Sequence, residues 1–191
     1  MIEDLFETDK YDSLLRFLIR ETRIINLKDF KTEEYKIPSN YDVIELNLNQ
    51  KEYTKEIRLA IDTIVEIAEK KGCPSNLYTA LYEAVLNAHQ HGNKEDPNKR
   101  IKIAYNVSKN SIDIAVIDEG GFINPDFISY IIRHREQKHK EKFMDFYEFS
   151  NMKKPVENNG TGTLFMHLYS DKISYYKSDK GGLVVNLTKY F

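Results

Sequence analysis

The chain is expected to fold as an α/β two-layer sandwich, a mostly antiparallel mixed sheet with helices on one face. Two alternating apolar segments, 100–107 and 111–117, are separated only by a Lys109-Asn110 turn, and a second such pair, 172–177 and 182–188, closes the chain. Strands joined by short turns run antiparallel. The helical patterns cluster in sequence rather than alternating with each strand, which gathers helices over one sheet face and argues against a doubly wound parallel fold. A P-loop fold is also disfavoured, because GxxxxGK[ST] is absent.

Residues 1–40 are set apart as an N-terminal helical extension, and 41–191 as the main domain. Within the extension, Leu14, Leu15, Leu18 and Ile19 share one helical face, with Phe17 and Ile25 nearby. A short amphipathic helix is therefore expected, either packed on its own domain or offered to a partner or a second copy. A charged connector then runs to Pro38. Segment 43–48 alternates and reads as a strand with one buried face. From Lys51 to Lys71, Ile57, Ala60, Ile61, Ile64, Val65 and Ala68 recur at helical spacing, until Gly72 stops the helix and Pro74 prevents its continuation. Ser75 is expected to cap the next helix, over 75–91, with Leu77, Ala80, Leu81, Ala84, Val85 and Ala88 on its apolar face and Gly92 at its end. After the first hairpin, Gly120-Gly121 turns the chain into a polar stretch over about 122–159. One helix is expected near 125–135, followed by the charged run REQKHKEK. A connection this long inside a compact domain is expected to be a functional lid. A short helix over 163–169, opened by a glycine loop, leads into the closing hairpin.

Composition narrows the function classes. The 191 residues are 41% hydrophobic, enough for a core, and Lys+Arg 28 against Asp+Glu 30 leaves a net charge of -2. That balance argues against direct nucleic-acid binding, which calls for a basic face. Cys73 is the only cysteine, which excludes an intrachain disulfide or a cysteine zinc site and fits a reducing compartment. The start, MIEDLFETDKYDSLL, is too acidic for a secretory signal, and no segment approaches the ~20 apolar residues of a membrane helix. A cytoplasmic protein is expected.

Three motifs carry chemistry. Glu83, Asn87 and His91 fall one turn apart along one edge of the 75–91 helix. An amide oxygen at 87 can ligate a hard cation such as Mg²⁺, and a carboxylate at 83 can take a proton from a hydroxyl. Asp118-Glu119-Gly120-Gly121 ends an apolar strand. A carboxylate there can accept from an exocyclic amine, and glycines let backbone approach a flat ring. Asn158-Asn159-Gly160-Thr161-Gly162-Thr163-Leu164 opens a helix, where free N–H groups suit phosphates. Taken singly, these are equally compatible with a solvated helix face, an ordinary turn and a loose loop end. A metal-hydrolase reading through Glu83, His89 and His91 is disfavoured, since residues two apart on a helix diverge.

Taken in order, ExxxN on a helix, DxG after a strand, a variable lid and GxG before a helix resemble the GHKL (Bergerat-fold) ATP-binding superfamily from about Val43 to Leu187. EAVLNAHQHGN over 83–93 is most similar to the corresponding box of the anti-sigma-factor serine/threonine kinases. That resemblance implies ATP and Mg²⁺ as cofactors. It assigns Glu83 as catalytic base, Asn87 as Mg²⁺ ligand, His91 near the phosphates, Asp118 and Gly120 at the adenine, and Gly160, Gly162 and Thr163 at the phosphates. It further implies phosphorylation of an antagonist protein, sequestration of a sigma factor and possible homodimerisation; the alternative is a nucleotide-gated binding module without turnover. The chain departs from the family pattern at Gly121-Phe122, where the second glycine is displaced, and at Phe165-Met166, where a third is common.

Overall fold

A computed structural model describes residues 13–48, 52–156 and 159–191. The acidic start over 1–12, the expected helix start at Lys51, and Asn158 of the glycine loop lie outside the described residues. The main sheet has five strands: β2 (Asp42–Leu46), β3 (Ile101–Val107), β4 (Ser111–Ile117), β6 (Lys172–Lys177) and β7 (Leu183–Tyr190), in the order β2-β3-β4-β7-β6. Every neighbouring pair is antiparallel. The long helices are α2 (Tyr53–Glu69), α3 (Leu77–Asn87), α4 (Pro125–Arg135) and α6 (Gly162–Tyr169). Their apolar residues share one core with Ile103, Ile114, Val116 and Leu187 of the sheet. The expected two-layer α/β architecture is therefore the one observed.

Period decides most of this. The buried residues of α2 are Ile57, Ala60, Ile61, Ile64, Val65 and Ala68, a continuous stripe in which each isoleucine or valine is worth roughly 1.5–3 kcal/mol on burial. Gly72, at φ +102, takes the left-handed turn that ends the helix. Asn124 caps α4 by accepting from the Asp126 N–H at 2.9 Å, with Pro125 in the first turn. The expected cap at Ser75 is not seen. Asn76 holds the N-cap position in a helical conformation without a side-chain hydrogen bond, because the preceding turn already winds into the helix.

The N-terminal segment is woven into this body. Helix α1 (Ser13–Leu18) buries Leu14, Leu15 and Leu18 in the main core beside α4 and β6, so of its two readings, packing on its own chain is the one observed. A two-residue strand, β1 (Ile25–Asn26), then pairs with β5 (Phe122–Ile123). The connector crosses to the other sheet face, where Tyr35, Ile37 and Tyr41 cover Ala104, Ala115, Ile117 and Val184. The Tyr35 N–H donates to Lys177 O at 2.8 Å, and the Lys177 ammonium donates to Phe30 O at 2.9 Å.

Candidate functional site

Helix α3 supplies the first wall. Its buried aliphatics fix its rotation, which leaves Glu83 and Asn87 on the flank facing the glycine loop. At Ala88 the helix widens into a π turn through Gly92, closed by the Asn93 N–H donating to Ala88 O at 2.7 Å. Such turns add a residue and re-aim the side chains after it. His89 is carried inward against the Tyr53 ring, 4.7 Å between centroids, while His91 lines the cavity, so the two histidines diverge as expected. Burial lowers the pKa of both.

Asp118 forms the floor. It is 3% exposed, and its Oδ1 accepts from the N–H groups of Gly120 at 2.8 Å and Leu183 at 3.0 Å. Burial outweighs these bonds and pushes its pKa up to about 6. Glycines crowd the loop. A Cβ at Gly92 would lie 2.3 Å from Asp118 Oδ2, one at Gly182 2.1 Å from Asp118 O, and one at Gly120 1.9 Å from Gly92 O. Gly121, at φ +114, would meet Gly181 O at 2.5 Å. The displaced glycine pair therefore answers a close backbone packing in this chain. Asn93 holds the loop to α3, its Oδ1 accepting from the Glu119 N–H at 2.9 Å and its amide donating to Arg100 O at 3.0 Å.

The glycine loop forms the opposite wall. A Cβ at Gly162 would fall 2.5 Å from Glu83 Oε2 and 3.4 Å from Asn87 Nδ2, so a larger residue there would push the Glu83 carboxylate from its place. Thr163 is buried in the first turn of α6. Burial raises the pKa of Glu83. The segment between Phe122 and Gly160 folds over this wall. It holds β5, α4 and α5 (Phe146–Ser150), and the Phe146 N–H donates to Gly160 O at 2.9 Å. The Tyr147 ring leaves no room for a Cβ at Gly160, which sits at φ +68.

These walls enclose a cavity of about 490 Å³. Glu83, Asn87, His91, Asp118, Gly160, Gly162 and Thr163 all line it, and Gly120 does not. Gly120 instead packs against the backbone of Gly92. Gly92, Asn93 and Gly182, which shape the floor, were not singled out by sequence for the site. Gly92 and Gly182 meet Asp118, and Asn93 meets Glu119, across long stretches of chain that no local pattern bridges. Cys73 is buried elsewhere with its thiol pushed up to about 11 by burial, the behaviour of a packing residue.

A profile of the histidine kinase-like ATPase domain family matches residues 50–189. The chain is also similar to the serine-protein kinase RsbW of Bacillus subtilis (strain 168), at 28% identity over 157 residues, covering 80% of this chain and 88% of that protein.

Proposed function

We propose, for a chain that belongs to the histidine kinase-like ATPase domain family, that it binds ATP with Mg²⁺ and acts as an anti-sigma-factor-type serine/threonine protein kinase. The observation that carries this reading is the convergence of Glu83, Asn87, Asp118 and Gly162 on one cavity. Asp118, whose Oδ1 is already occupied by two backbone amides, has Oδ2 left to accept from the adenine amine. The amides of 160–163 at the start of α6 face the phosphates, with the Thr163 hydroxyl as a further donor. Mg²⁺, when bound, supplies charge neutralisation on the phosphates, and Asn87 is the side chain that would hold it. His91 lies on the same wall, its pKa lowered by burial, so it acts as a neutral ring rather than a cation near neutral pH. Glu83 takes the proton of the attacking Ser or Thr hydroxyl, and its raised pKa strengthens it as a base. The protein substrate is the antagonist of a sigma factor, and the sigma factor is the second partner.

The hydrogen bond from Phe146 to Gly160 favours a second reading, a nucleotide-gated binding module without turnover. It ties the lid to the loop that faces the phosphates, so occupancy and lid position would move together.

The test is calorimetry of the full chain with ATP-Mg²⁺, then transfer of radiolabelled phosphate to a cognate antagonist. We expect binding and transfer, with transfer falling about 10²–10⁴-fold in Glu83→Gln while ATP affinity is kept. Undiminished transfer removes Glu83 from its role. Binding without transfer favours the second reading. No binding of ATP or ADP in the presence of Mg²⁺ ends both.

A further inference from the structure

Three large apolar side chains stand at the mouth of the cavity: Ile24 is 66% exposed, Phe122 55% and Met152 47%. All three also line the cavity. Half-exposed apolar groups grouped on a cavity rim are unfavourable unless something covers them. They arrive from three separate parts of the chain. Phe122 follows the Asp118 loop directly. Met152 comes from the end of the lid and meets the rim through Asn124, whose amide lies 3.3 Å from its sulfur. Ile24 comes from the N-terminal segment, outside the family match at 50–189. Its position is set by the pairing of Ile25 with Ile123 and of Asn26 with Phe122, and by the Leu27 N–H donating to Gly121 O at 2.8 Å.

We propose that Ile24, Phe122 and Met152 form an apolar clamp on the purine nucleoside of ATP, so that the N-terminal segment is itself a wall of the nucleotide site. The inference rests on the ATP reading above. Its location selects the occupant. The rim is built on residues 121–124, next to Asp118, whereas the amide-rich end at 160–163 suits phosphates. A purine face stacks on an aromatic ring without needing a hydrogen-bond pattern, and a methionine fits irregular apolar surface. Phe122, at the position where the family's second glycine is displaced, thereby gains a use in this chain.

The test uses full-length protein with ATP-Mg²⁺ and ADP-Mg²⁺. Ile24→Ser and Phe122→Ser alter exposed side chains, so melting without nucleotide should be unchanged. Each should weaken ATP and ADP alike, by about fivefold to tenfold. The chain contains no tryptophan. Phe122→Trp therefore introduces a single indole, which should keep affinity within about threefold and lose fluorescence at saturating nucleotide. The clamp is overturned if the serine variants bind within about twofold of wild type, or if the indole spectrum ignores nucleotide. Retained nucleotide affinity with lost transfer to the antagonist would assign the rim to protein docking and also overturn it. Wild-type protein that binds no nucleotide defeats the ATP reading itself, an outcome distinct from these.

Discussion

Asp118→Asn should improve the empty protein and damage its ligand binding at once. The side chains are nearly isosteric, and an amide oxygen can still accept from Gly120 and Leu183. What changes is charge. The carboxyl titrates at about 6 in the fold against 3.8 ordinarily, a difference of about two units, so ionised Asp118 costs the folded state about 3 kcal/mol. A raised acid pKa means the folded state prefers the neutral form. Its contribution is intact below pH ~4 and lost as pH rises towards ~6. The raised value is already net of the bonds from Gly120 and Leu183, so a gain of about 3 kcal/mol is expected at pH 8, mostly gone at pH 4. Urea denaturation at both values measures it. Meanwhile the outer atom changes from acceptor to donor. Losing a charge-assisted bond to the adenine amine costs about 1.5–3 kcal/mol, or a ~10–150-fold weaker ATP affinity by calorimetry at pH 8. Unchanged ATP affinity would refute the contact with Asp118. A less stable variant at pH 8 would refute the view that its buried charge is strained.

Two further substitutions probe the frame. Gly182→Ala should destabilise by about 3 kcal/mol in urea, because its Cβ would sit 2.1 Å from Asp118 O and 2.5 Å from Oδ1, which are held by hydrogen bonds from Ser178, Gly120 and Leu183. A loss under about 1 kcal/mol would show that the loop can shift. His134 is 3% exposed, meets Tyr130 edge-on, lies tilted against His139 and stacks on His167, and has neither ring nitrogen hydrogen-bonded among the described residues. Burial first, then His139 and Arg133, lower its pKa to about 4. A lowered histidine favours the neutral folded form, so its contribution is full above pH ~6.5 and lost as pH falls towards ~4. His134→Leu should therefore stabilise by about 1 kcal/mol at pH 7.5, and by about 2 kcal/mol more at pH 5. Equal stability differences at the two pH values would contradict this.

What the sequence revealed, it revealed through period. The stripe on α2, both hairpins and the span of α4 each repeat a local signal several times, and Glu83 and Asn87 ride on a helix whose buried face was already legible. Asp118 is legible because an acid that ends an apolar strand just before a glycine pair is conspicuous. Contacts without a local signal stayed hidden. The pairing of Ile25 with Ile123 has only two residues and no period. The π turn at 88–92 looks like ordinary helix until Gly92 has to fit against Asp118. Tyr35 and Ile37 read as a charged connector because the alanines that make room for them, Ala104 and Ala115, lie on strands much later in the chain.

That connector also sets an order of events. Phe30 and Lys177 are 147 residues apart, yet bonded. During synthesis the segment that carries Ile24 emerges before its partner strand at 122–123 and well before its anchor at 177. Loop closure over such a span is slow, and until it happens the small-residue face of the sheet lacks its cover. A segment made before the sheet it covers thus docks only after that sheet is complete. Nucleotide present at that moment would bind a site still missing one wall, so ATP added during refolding should speed the final docking step.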